Sequence, residues 1–390
     1  MLWLVIGTTS LIAFAIGLTI WLLHLRLWRW LLSSSPSYES VETLVLPDGG
    51  AIELRRIAAP IQPSDPVPVL LIHGLAMNHR NHDAHEDYSF ARHLHRAGRD
   101  VWLVTLRSGR RSPPIYCAAN NHFAAMVKYD LPAAVAAVLA RTRQRKLDLA
   151  VFSMGGMLLY AGLDRTLDAR LVRRVVLFAS PAKIRPLGPL GWLSFLPANV
   201  MPTPALRAAV GTFAFAPRLV PASLWSRVYN HRNVDRRVER GALCDVWENI
   251  PGRLATDFMR WSKAQGGEIT VDGRPILGGL AKVNVPACFF AGTADWLAPE
   301  WTVREGYEAW GRDLPHIEKH FVVLGRAHGT RHDYGHCDIV YGQYAPSEVY
   351  APAAQFLNHG VWPKQQSARV RTEDAQEAGL DLVPAPSAAE

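Results

Sequence analysis

The sequence predicts an α/β protein: a mostly parallel sheet with helices on both faces, an inserted cap, and one transmembrane helix in front. Three observations predict it. Short aliphatic runs, Val67–Ile72, Val101–Leu106 and Leu147–Phe152, have the composition of strands buried on both faces. Helical stretches alternate with them, the pattern of parallel strands joined by crossover helices. Between Pro181 and about Leu280 that alternation stops, and it resumes afterwards.

Residues 2–23 contain no charged side chain. As a helix they are roughly 33 Å long, enough to cross a bilayer's hydrocarbon core. Trp3 and Trp21 stand near its two ends, where interfacial aromatics are found. A cleaved signal peptide is the competing reading. The length of the apolar run and the lack of a basic segment before it favour a retained anchor. Arg26 and Arg29 follow the helix, so the positive-inside bias puts the rest of the chain in the cytoplasm.

Residues 33–40 are a polar, Ser-rich linker. Val41–Pro47 and Ala51–Ile57 flank Asp48-Gly49-Gly50, a hairpin signal because glycine supplies positive φ. Then come the Val67–Ile72 strand, whose Pro68 belongs at its start, a helix over Tyr88–Ala97 and the Val101–Leu106 strand. An Ala- and Val-rich helix follows over Ala124–Thr142, then the Leu147–Phe152 strand, a helix from Met154 to about Leu163, and a strand at Val175–Phe178. After the break come strands at Ala287–Ala291 and Phe321–Leu324, and helices near Glu300–Trp310 and Ser347–Leu357. The expected organisation is an anchor over 1–32, a core over 41–180 and 281–360, a cap over 181–280, and a disordered tail over 361–390.

Net charge is +8. The basic residues are scattered with no long run, which reads as solvated faces plus some attraction to a membrane, not as a nucleic-acid footprint. Cys117, Cys244, Cys288 and Cys337 are far apart and lack C-x-x-C spacing, which argues against structural zinc and a disulfide framework.

Four local signals carry chemistry. In Val151-Phe152-Ser153-Met154-Gly155-Gly156 a strand runs into a serine, two glycines and a helix. That order exposes Ser153 Oγ on a tight turn, although Val151 stands where G-x-S-x-G has its first glycine. A plain helix N-cap is the bland alternative. In Leu70-Leu71-Ile72-His73-Gly74-Leu75 an H-G turn follows a buried strand. Such a turn supplies one oxyanion N–H and the residue after the nucleophile supplies the other, making Leu75 and Met154 the candidates. Asp295, in Ala291-Gly292-Thr293-Ala294-Asp295-Trp296, is a carboxylate after a late strand, placed to hold an imidazole. His336, in Tyr334-Gly335-His336-Cys337-Asp338, is placed to take the serine proton. Each has a bland reading as a turn residue, but Ser153, Asp295, His336 is the chain order of the α/β-hydrolase fold. Asp338 is the runner-up acid, and Cys337 has no elbow around it. His79, His82 and His85 with Asp83, Glu86 and Asp87 lack the i, i+4 spacing of a helical metal site, which favours a polar loop at the site's rim.

With these residues in place, the chain resembles the acid lipase and polyhydroxyalkanoate synthase-like branch of the α/β-hydrolase superfamily. The resemblance covers roughly residues 41–360. It is carried by IHGLAMN, VFSMGGM, AGTADWLAP and DYGHCDIVYG, and by Tyr229–Asp235 in the cap. It implies a serine hydrolase: the branch's polymer synthases carry cysteine at the elbow, whereas this chain has Ser153, which argues for hydrolysis, a chemistry that requires no cofactor. The expected activity is a membrane-anchored esterase or lipase acting on lipophilic esters. An acyltransferase using the same triad and a non-catalytic membrane protein retaining the fold are the alternatives. Leu190, Trp192, Leu193, Phe195, Leu196, Val200 and Met201 crowd the cap. They read either as packing or as the wall of an apolar channel, with Trp192, Phe195 and Trp296 as the expected substrate contacts.

Overall fold

The computed structural model describes residues 2–57, 65–109, 120–163, 165–188, 195–360 and 362. Leu190, Trp192 and Leu193 of the cap cluster, Cys117, and the expected tail other than Trp362 lie outside them. The strands are β1 (Ser40–Val45), β2 (Ala51–Ile57), β3 (Asp65–Ile72), β4 (Arg99–Thr105), β5 (Leu147–Phe152), β6 (Val172–Phe178), β7 (Thr270–Val271), β8 (Arg274–Pro275), β9 (Ala287–Gly292) and β10 (Lys319–Leu324). Eight form one sheet in the order β1-β2-β4-β3-β5-β6-β9-β10, and β7 pairs only with β8. The β1–β2 and β2–β4 pairs are antiparallel, and every later pair in the main sheet is parallel.

The central strands are aliphatic because both faces are covered. β4, β5 and β9 are buried along their whole length. Removing a side chain such as Ile72, Leu103 or Leu149 from water contributes roughly 1.5–3 kcal/mol each. Ile72 pairs with Val104 on one side and Val151 on the other. This register brings the ends of β3 and β5 level, so the turns that follow, at His73 and Ser153, emerge side by side.

Several boundaries differ from the sequence expectation. β3 begins at Asp65, and its register against β4 is irregular between Asp65 and Val69, where Pro66 and Pro68 have no N–H to give the ladder. β6 begins at Val172, three residues early, because Arg173 and Arg174 are strand residues whose charges are answered by groups distant in sequence. Arg173 pairs with Asp65 at 2.7 Å and with the buried Asp148, which also takes a bond from Arg99 at 2.6 Å. The Ala124–Thr142 helix contains a π-helical turn at Met126–Asp130, and the last helix opens with one at Pro346–Tyr350. Each π turn runs into a proline, Pro132 or Pro352, whose missing N–H breaks the i to i−4 ladder.

Between β6 and β9 the chain forms helices at Leu206–Thr212, Ala222–Trp225, Arg236–Asp245 and Gly252–Lys263. Pro and Gly had hidden this helical content. The N-terminal helix runs from Leu2 to Leu32, beyond the charge-free stretch that ends at residue 23 and to the end of the expected anchor. Side chains such as Leu11, Phe14 and Ile20 are exposed. Its C-terminal part instead lies on the cap. Trp21 Nε1 donates to Thr212 Oγ1 at 2.9 Å, the Trp28 and Phe215 rings stack at 5.6 Å, and Arg240 lies over Trp28. Among the described residues one other helical stretch is comparably long and apolar, Phe123–Thr142, and half of it is buried in the core.

Candidate active site

Ser153 sits between the end of β5 and the helix Met154–Gly162, with φ 52° and ψ −116°. Positive φ is strained for a residue with a Cβ and needs surrounding structure to hold it. Ser153 N–H donates to Phe178 O at 2.9 Å, and Gly156 N–H donates to Ser153 O at 2.9 Å. Close packing explains the glycines. A Cβ at Gly155 would meet Ile72 O at 2.8 Å, and one at Gly156 would meet Ser180 Oγ at 2.1 Å. A Cβ at Gly74 would meet Ser153 Cβ at 3.0 Å, so the H-G turn presses directly on the elbow.

His336 lies in the segment after β10. Its Nε2 is 2.9 Å from Ser153 Oγ, and its Nδ1 is 2.7 Å from Asp295 Oδ2. The ring leans on Phe152 with centroids 4.8 Å apart. Asp295 is nearly fully buried, and its Oδ1 accepts the N–H groups of Leu297 and Ala298 at 2.9 and 2.8 Å. These bonds satisfy the carboxylate's other oxygen and fix its direction. Gly292 lets the two loops meet, since a Cβ there would strike Tyr334 O at 2.3 Å, and Ala294 N–H donates to the same oxygen at 2.8 Å.

His73 has a different part. Leu106 N–H donates to its Nε2 at 3.0 Å, so Nδ1 carries the proton and donates to Gly74 O at 2.8 Å. Burial pushes its pKa down to about 4, so the ring is a neutral brace of the H-G turn. His79, His82 and His85 engage separate partners. His79 bonds Thr105 Oγ1 at 2.9 Å, buried His82 bonds Ile72 O at 3.1 Å, and His85 lies beside Asp87. Asp338, the runner-up acid, does not reach the His336 ring. It accepts the N–H groups of Gly335 and Asn230 and the Nδ2 of Asn233. Burial pushes its carboxyl up to about 6. Asn230 and Asn233 also donate to Asp333 O at 2.6 and 3.0 Å, which ties the cap to the loop carrying His336.

Above Ser153 and His336 is a cavity of about 490 Å3. Leu75, Met157, Trp247, Phe258, Trp296 and Leu297 supply much of its wall, which is predominantly apolar. Met154 N–H is the first of the helix Met154–Gly162, a position with no intrahelical acceptor. Trp296, expected at the substrate, is on the wall. Phe195 is not: it is 73% exposed and absent from the described lining. The turn in which Met201 N–H donates to Pro197 O buries Met201 and leaves Phe195 outside. Trp192 lies outside the described residues. Sequence reasoning missed Trp247, Phe258 and Arg185, all on the wall, because their only signal is spatial.

The sequence matches the α/β-hydrolase-fold family over residues 67–330. Among solved structures, the chain is similar to an esterase from Thermogutta terrifontis, with 18% identity, coverage of 82% of this chain and 98% of the other, and a TM-score of 0.51. It is similar to a hydrolase from Pseudomonas aeruginosa PA01, with 17% identity, coverage of 83% and 100%, and a TM-score of 0.51. A carboxylesterase from Bacillus subtilis aligns with 14% identity, coverage of 88% and 99%, and a TM-score of 0.51. At these identities the likeness is one of fold.

Proposed function

The chain belongs to the α/β-hydrolase-fold family, and from that premise we propose that it is a membrane-anchored serine hydrolase cleaving lipophilic carboxylic esters through an acyl-enzyme on Ser153. The observation that carries this reading is the unbroken chain of contacts from Ser153 Oγ through His336 to Asp295, opening into an apolar cavity.

His336 Nε2 takes the Ser153 proton as Oγ attacks the ester carbonyl. Asp295 keeps Nδ1 protonated and offsets the charge of the imidazolium that forms. The N–H groups of Leu75 and Met154 receive the oxyanion. His336 then hands its proton to the leaving alcohol, and water, activated by the same imidazole, releases the acid and frees Ser153. No cofactor enters this sequence. The apolar wall suits an acyl chain, which supports a lipophilic substrate. The exposed apolar helix supports anchoring, and its contact with the cap keeps the cavity close to the bilayer where such esters concentrate. Arg26 and Arg29 favour a cytoplasmic catalytic domain.

A fluorophosphonate probe tests the reading. The wild-type protein is expected to be labelled on Ser153 and S153A to remain folded and unlabelled. Equal labelling of both would refute the assignment.

A further inference from the structure

We propose that the ester taken by this site carries a negatively charged group outside its acyl chain, and that Arg185 and Arg227, which flank Trp296, hold that group. This inference rests on the hydrolase reading above and adds the substrate's charge to it.

Apart from His336, Arg185 is the one ionisable side chain among the described residues on the cavity wall. A cation in an apolar wall is costly unless its donors are answered, which is why such groups are normally paired with a carboxylate. Arg185 has no carboxylate partner among the described residues. Its guanidinium has five N–H donors. One Nη1 bond reaches Trp296 O at 3.1 Å, while Nε is buried with no partner. The plane of charge lies 4.3 Å from the centre of the Trp296 ring. Arg227 lies 5.2 Å from the same ring, and its side chain, which is exposed, makes no hydrogen bond or ion pair among the described residues. Two guanidiniums therefore converge on the indole of Trp296, the residue next to Asp295, with donors to spare and no carboxylate paired with either among the described residues.

The surrounding sequence has the same bias. Residues 181–234 contain Lys183, Arg185, Arg207, Arg218, Arg227 and Arg232 and not one Asp or Glu. Lys183 is paired with Glu305 from outside the cap, and Arg207 lies 3.8 Å from Glu248, but the pair at Trp296 has no such partner among the described residues. Stacking on indole stabilises a guanidinium modestly and leaves its N–H edge free. That edge matches the oxygens of a phosphate or carboxylate, which it can take in two parallel bonds. The ligand chemistry that completes the site is thus an amphiphile with an apolar acyl chain in the cavity and an anionic group at Trp296.

The test uses full-length protein in neutral detergent micelles, so that surface potential does not concentrate the charged substrate. Three esters with one acyl chain are compared: a monoacylglycerol, its phosphate monoester, and the corresponding phosphocholine, which carries no net charge. The expected result is a higher kcat/KM for the phosphate monoester than for either of the others. R227Q and R185Q are each expected to lower that preference by roughly tenfold, the scale of one hydrogen bond to a charged group, mostly through KM. R227K keeps the charge without the fork and is expected to restore part of the preference. A phosphate monoester turned over no better than the neutral ester would overturn the proposal. So would a loss in R185Q and R227Q that is equal for all three esters, because the arginines would then serve only to position Trp296. Binding to S153A separates this inference from the hydrolase reading. An ether analogue of the phosphate ester is expected to bind more tightly than the uncharged ether whether or not the protein turns over esters, and equal affinities count against the arginine site alone.

Discussion

The apolar cavity makes a quantitative demand on substrate choice. Each methylene moved from water onto its walls contributes ~0.8 kcal/mol, about fourfold in kcat/KM. From a p-nitrophenyl acetate to the hexanoate, four methylenes add ~3 kcal/mol, a ceiling of about two-hundredfold. The rise must stop where about 490 Å3 has been filled. Ala255 offers a way to move that point. It lies on the wall, 5% exposed, on the helix Gly252–Lys263, one turn before Phe258 and Met259, which also face the cavity. In A255F a ring occupies space that the chain would use, while Ser153, His336 and Asp295 are untouched. Initial rates across the acetate-to-decanoate series, with thermal unfolding as a folding control, are expected to show A255F close to wild type on acetate and to plateau at a shorter chain. Wild-type activity that peaks at acetate, or an A255F variant equally impaired on every ester, would mean that the cavity packs the cap and receives no acyl chain.

Other perturbations separate the remaining roles. H336A is expected to be about as damaging as S153A, by several orders of magnitude in kcat, because the two act as a unit. D295N should be severe, since Asp295 Oδ2 meets His336 Nδ1 at 2.7 Å, whereas D338N should be mild in kcat. Greater sensitivity at Asp338 would reassign the acid. Asp338 should show itself instead in stability. Its carboxyl is pushed up to about 6 from 3.8, so the folded chain holds a proton that the unfolded chain gives up sooner. That contribution is present in full below the unfolded value and lost as pH rises through about 6. The stability of wild type relative to D338N should therefore fall between pH 4 and 6, and a flat difference in denaturant melts would contradict this. Deleting residues 1–23 should release the protein from membranes on sedimentation while sparing the His24 and Trp28 contacts with Phe215. A deletion variant that stays with membranes would place the main attachment elsewhere.

What the sequence made legible was local. An aliphatic strand, a turn residue and the next helix are read within ten residues, and that was enough to place Ser153, His73-Gly74-Leu75, Asp295 and His336 after their strands. What it hid depends on partners far along the chain. Arg173 and Arg174 look like a polar break before β6 until Asp148 and the carbonyls of Leu357 and Asn358 answer them. The charge-free run stops before Arg26, yet the helix continues to Leu32, where Trp28 and His24 have Phe215 to lie on. Phe195 and Met201 are equally apolar, and only the turn at Pro197 decides which of them is buried. Trp247, Phe258 and Arg185 come from three separate cap segments and have no shared motif.

The valine at the elbow shows how a departure from a motif can be absorbed. In G-x-S-x-G the first glycine keeps the strand clear of the helix that crosses it. Here that position is Val151, fully buried, and the relief comes from the other side of the crossing. Gly156 is the second consecutive glycine of the helix. A Cβ there would lie 3.5 Å from Val151 Cγ2, ordinary contact, but 2.1 Å from Ser180 Oγ, which no side chain can tolerate. The bare backbone of Gly156 thus lets the helix settle against Ser180, two residues past the end of β6, with the valine branch beside it. Ser153 keeps its positive φ because three strands and three glycines hold it, not because the residue two before it is small. The strain of that conformation, of order 1–3 kcal/mol, is carried by the packed junction of β3, β5 and β6. The ends of the three strands at that junction are buried, and it leaves Oγ as the group turned toward His336 and the cavity.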